Sequence, residues 1–165
     1  MQAFPRLLLA GFAAAALAAP VAGQRSDDQI QPKSVELMHK GQALMATGKL
    51  EDAENALETA LAVDPRNRWA YVDLARVAEK EHLFGKAIRM TSKALLIEPN
   101  DPDAIAVQGE AMVEMGATAR AADNLKKLQT LCGAKSCPQA SELSAAITRG
   151  PTVAAAKVPE TPKKD

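Results

Sequence analysis

Ala53–Pro65 reads AENALETALAVDP, and its outline returns 34 residues later as Ala87–Pro99, AIRMTSKALLIEP, and again as Ala121–Gly133, AADNLKKLQTLCG. Each copy opens on an alanine. Seven residues on stand Ala60, Ala94 and Leu128; then come Val63, Ile97 and Leu131, and the copies close on Pro65, Pro99 and Gly133. The columns extend upstream. Leu37, Tyr71 and Ile105 form a large apolar column, and Gly41, Ala75 and Gly109 a small one. A period held three times marks stacked supersecondary units, each too small to bury its apolar face alone.

Each period divides into two helical runs. Gly48 and Gly116 stand at the internal break, where glycine accepts the left-handed conformation that closes a helix. His82 holds that place in the middle copy, which predicts a more strained turn or one of different geometry. The second runs stop at Asp64-Pro65 and Glu98-Pro99, because proline ends a helix and restricts the residue before it. Asp101-Pro102 restarts the chain as N-cap and first helical residue. A composition rich in Ala, Leu, Glu and Lys, with one Trp, one Tyr and three Phe, favours helix throughout.

These residues resemble the tetratricopeptide repeat family: a large apolar residue, a small one four later, paired small residues seven apart in the second helix, and a closing proline. The resemblance implies an all-α superhelix of three hairpins, 34–67, 68–101 and 102–135. Small residues such as Gly41, Ala53, Ala87 and Ala121 would let paired helices approach, while Leu37, Leu57, Tyr71, Ile105 and Leu125 fill the space between pairs. A capping helix over 138–149, with Leu143, Ala146 and Ile147 on one face, would close the array, and Arg149-Gly150-Pro151 ends it. The repeat domain thus spans 34–149, preceded by a flexible lead-in at 24–33 and followed by a disordered tail at 150–165.

Residues 1–23 are a different kind of text. Arg6 is followed by an unbroken apolar run from Leu7 to Ala19 and then by small residues, the pattern of a secretory signal peptide cut near Gln24. The run is shorter than the ~20 residues of a membrane span, so no stable membrane insertion is expected after cleavage; a retained anchor is the competing reading. The expected location is periplasmic or secreted. Cys132 and Cys137 are the only cysteines, and an even pair in an exported chain points to a disulfide worth about 2 kcal/mol. Their four-residue gap is not that of a thioredoxin-type redox pair, and two thiols do not complete a zinc site.

Basic and acidic residues number twenty each, which leaves no electrostatic footprint of a nucleic-acid binder. His39 and His82 lie far from any nucleophile and base arrangement, the carboxylates Glu51, Asp52, Glu54 and Glu58 read as a solvated helix face, and no phosphate loop exists. No enzyme, cofactor or metal is therefore expected. In the family that the chain resembles, the first helices line a concave groove for peptides or helices. The resemblance places there Val35, Met38, Gln42 and Met45, then Trp69, Val72, Arg76 and Glu79, then Ala106, Glu110 and Val113. Met38, Met45 and Trp69 are also readable as packing between helices. Met38 and Gln42 occupy places where the family's clamp for C-terminal carboxylates has Lys and Asn, which disfavours that ligand. The function expected is a periplasmic adaptor holding a protein or peptide segment; the alternative is a structural self-association module of the cell envelope.

Overall fold

The computed structural model describes residues 29–133 and 137–152, so the leader at 1–23 and the tail from 153 lie outside the described residues. Seven helices follow one another without a strand among those residues: α1 (Pro32–Ala46), α2 (Leu50–Val63), α3 (Arg68–Lys80), α4 (Phe84–Ile97), α5 (Pro102–Glu114), α6 (Thr118–Cys132) and α7 (Pro138–Arg149). The first helix starts two residues ahead of the repeat boundary at 34, because Pro32 takes the first-turn place where its missing N–H costs nothing.

Hairpins α1/α2, α3/α4 and α5/α6 stack in order. The backbone of α1 comes close to that of α3, and α3 to α5, whereas the backbones of α2, α4 and α6 stay apart, with Lys86 of α4 reaching across to Glu54 of α2. The odd row is therefore the inside of the curve. α7 packs on both α5 and α6, as α5 packs on α3 and α4, and so fills the place of a fourth inner helix.

The period explains the joints. Asn67 and Asp101, one period apart, each cap the helix that follows by accepting from Ala70 N–H at 3.3 Å and Ala104 N–H at 3.0 Å. Each also reaches back to the head of the preceding inner helix: Asn67 Nδ2 donates to Ser34 Oγ at 2.9 Å, and Asp101 pairs with Arg68. One residue thus starts a helix and fastens it to its predecessor. A Cβ on Gly41 would meet Leu57 Cγ at 2.6 Å, so the bare backbone of α1 accommodates the leucine of α2. In the next repeat Ala75 and Thr91 stand at those positions, a larger residue matched with a smaller one.

His82 makes the same left-handed turn as its glycine equivalents, with φ of 59° beside 76° at Gly48 and 75° at Gly116. The middle turn is therefore of equal geometry and carries the strain, which for a residue with a Cβ is about 1–2 kcal/mol. His82→Gly should raise the melting temperature by a few degrees, since the relief exceeds the ~0.5–1 kcal/mol entropic cost of glycine. An unchanged or lower melting temperature would show that the His82–Phe84 ring contact outweighs the strain. Cys132 and Cys137 are joined in a disulfide across the turn from α6 to α7.

Candidate functional site

The inner row presents its side chains in period-related columns, and burial divides the residues expected in the groove. Val72 and Val113 lie inside the core at 2 % and 0 % exposure, Ala106 at 3 % and Met38 at 6 %. Val72 and Val113 offer a ligand no surface, because Val72 belongs to a core cluster with α4 and α5 residues and Val113 to one with α6 and α7 residues. Val35, Gln42, Met45, Arg76, Glu79 and Glu110 are half-buried and accessible from the concave side. Trp69 is exposed near the start of α3, and the Arg68 guanidinium covers its ring at 4.2 Å.

A polar chain crosses the groove floor. Gln42 of α1 donates to Asp73 Oδ2 of α3 at 2.7 Å; Arg76 of α3 donates to Asp73 Oδ1 at 3.3 Å and to Asp103 Oδ1 of α5 at 3.2 Å. Gln139 of α7 donates to the same Asp103 oxygen at 3.2 Å. Four inner helices are so linked through alternating donors and acceptors. Burial raises the Asp73 carboxyl above its usual range despite the opposing bonds from Gln42 and Arg76.

Above this floor a hollow of about 290 Å³ is lined by Met45, Arg76, Glu79, Lys80, Asp103, Ala106, Val107, Glu110, Gln139 and Glu142. A second hollow of about 180 Å³ shares Glu79 and Glu110 and extends to Glu114, Arg149 and Thr152. Burial, then the charges of Glu110 and Glu114, push the Glu79 carboxyl up to about 8 against the pull of Arg76. Burial and Glu142 raise Glu110. Thr152, just past α7, donates its N–H to Glu114 at 2.8 Å and ties the chain's exit to the rim.

Asp103, Lys80, Gln139 and Glu142 were not among the residues expected here. Asp103 was within reach, since it falls in the column of Val35 and Trp69. Among the described residues no trio of His, Cys, Asp and Glu is placed to hold a metal ion, and no described helix is long and apolar enough to cross a membrane. His39 is exposed and shares a hydrogen bond with Gln42 at 3.0 Å.

The Tetratricopeptide repeat family profile matches residues 44–111. No curated protein matches the chain significantly. Among solved structures, the Sgt2 TPR domain of Aspergillus fumigatus is similar at 21% identity and a TM-score of 0.66, over 72% of this chain and 79% of that one. The second TPR domain of human RPAP3, in complex with an HSP70 peptide, gives 22%, 0.62, and 69% and 94% coverage. The Yersinia enterocolitica type III secretion translocator chaperone SycD gives 19%, 0.63, and 72% and 89%. At these identities the likeness bears on fold: the helices from Pro32 to Arg149 form a tetratricopeptide-like solenoid, of which residues 44–111 match the family profile.

Proposed function

We propose that this chain is an exported, non-catalytic adaptor that holds a protein or peptide segment against α1, α3, α5 and α7. The carrying observation is the open hollow on the concave face, where accessible apolar and charged side chains stand over a floor fixed by the Gln42–Asp73–Arg76–Asp103–Gln139 chain. A fixed floor reduces the ordering cost of binding. The human RPAP3 domain, similar in fold, is complexed with a peptide. Export is supported by the leader-like text of 1–23 and by the Cys132–Cys137 bridge, a feature of oxidising compartments.

A photoreactive amino acid placed at Met45 in the full chain, expressed in its own cells, tests both parts. The adduct is expected in the periplasmic or secreted fraction, on a chain beginning near Gln24 and joined to a specific polypeptide. The same probe at exposed Asp123 of α6 should give none. Adducts only between copies of the chain, with a mass that rises with concentration, would favour self-association instead. A chain retaining residues 1–23 and confined to the cytoplasm would overturn the export reading.

A further inference from the structure

The charges in the groove are unequally satisfied. Arg76 is already held between Asp73 and Asp103, which leaves Lys80 as the other cation lining the hollow. Glu79, Glu110 and Glu142 line it too, and among the described residues none of the three has a hydrogen-bond or ion-pair partner. These carboxylates stand on three different helices, half-buried on α3 and α5 and exposed on α7. Like charges held together out of water repel, and an added cation relieves both the repulsion and the lost hydration.

Resting on the groove reading above, we propose that the segment held here is basic. An arginine or lysine side chain of the partner enters the hollow between α3, α5 and α7, where Glu79, Glu110 and Glu142 receive it, while an apolar neighbour on the segment lies on Met45. Charge complementarity selects this occupant over an acidic one: an added anion would stand beside Glu79, Glu110 and Glu142, whereas a cation adds to the pull that Arg76 already exerts on Glu79 and Glu110 and favours the ionised form of Glu79. The spacing selects an extended organic cation over a compact ion, since no trio of carboxylates is placed to hold a metal. A guanidinium, with several donors fanned in one plane, can reach carboxylates on separate walls.

Fluorescence anisotropy of labelled Arg-Leu, Ser-Leu and Glu-Leu peptides against the full chain decides the matter. The Arg-Leu peptide should bind best, and tighter at lower salt, where the charges are less screened. Glu110→Gln and Glu142→Lys should each weaken it about tenfold or more, as removal of a close charge partner does. Glu142 is exposed, so circular dichroism of Glu142→Lys should match the parent and separate lost binding from lost folding. Equal binding of all three peptides, unaffected by either variant, would overturn the basic specificity while the groove stood. No binding by any peptide, with concentration-dependent dimers, would overturn the groove reading and this proposal with it. Arg-Leu binding seen only after Lys157, Lys163 and Lys164 are changed to Gln would make the chain's own tail the occupant, and the basic partner would fall.

Discussion

Leu57→Ala is expected to cost about 3 kcal/mol, within the ~2–5 kcal/mol of buried leucine truncations. Leu57 is fully buried and packs in one cluster with Met38, Ala53, Ala60, Ala70, Leu74 and Val77, so it joins the first hairpin to the second. Its side chain fills the notch at Gly41, where Cγ and Cδ2 lie 2.6 and 2.8 Å from the position of a Cβ. α1 and α2 are already in close approach there. The void left by truncation therefore has little room to collapse, which puts the cost above that of the transfer term alone. Gly41→Ala by itself crowds the notch and destabilises the protein; in the Leu57→Ala background the added methyl occupies the void and recovers part of the loss. Urea unfolding of the four proteins, read as midpoints at constant slope, measures that coupling. Exposed Leu96, truncated in the same way, should change stability by no more than about 0.5 kcal/mol. Additive effects at Gly41 and Leu57 would contradict the helix crossing described.

The fold was legible because the repeat writes the same packing problem three times. Leu57 against Gly41, with Thr91 and Ala75 one period on, trades volume between two columns of the sequence, while in the third copy the notch at Gly109 receives Leu143 of α7. Helix ends were equally readable, since Pro65, Pro99, Gly133 and the Asp101-Pro102 pair act through local sterics and local hydrogen bonds. His82 was the informative exception: its place in the period prescribes a left-handed turn that its side chain disfavours, and the period prevails.

The groove was less legible, for reasons that belong to its geometry. A column number fixes the direction in which a side chain leaves its helix but not how near the neighbouring helix comes. Val113 consequently shares a column with half-buried Met45 and Glu79 and is itself buried, whereas Val72 stands in a column, with Met38 and Ala106, that is buried throughout. Arg76 looked like a free contact residue, yet it is engaged by Asp73 from its own helix and by Asp103 from the next, a pairing that depends on the offset between α3 and α5. Gln139 and Glu142 reach the groove from α7, beyond residues 134–136, where the period no longer counts. What the sequence conveys is the composition of each wall. Which charges neutralise one another across the walls is settled by stacking.

Glu79→Gln is expected to give the largest change, and only on the alkaline side. In the folded chain the Glu79 carboxyl is pushed up to about 8 from an ordinary value of 4.5, first by burial and then by Glu110 and Glu114. Between those values the folded protein binds a proton that the unfolded chain has released, so folding stability falls as pH rises. The contribution is fully present below 4.5, is lost progressively up to about 8, and then levels off. Glutamine keeps the shape and never ionises, so it avoids the loss. The variant should match the parent near pH 4 and exceed it near pH 9 by on the order of 4 kcal/mol, less whatever water entry at the groove restores. The charged and titratable groups that face the site are Arg76 and Lys80 from α3, His82 at the turn, Glu110 and Glu114 from α5, and Glu142 and Arg149 from α7. Glu142→Gln, which removes an exposed carboxylate from the same hollow, supplies the comparison. Urea midpoints of parent and both variants across that pH range decide the question. A gain from Glu79→Gln that is constant with pH would mean that Glu79 ionises in the folded groove as freely as it does in the unfolded chain.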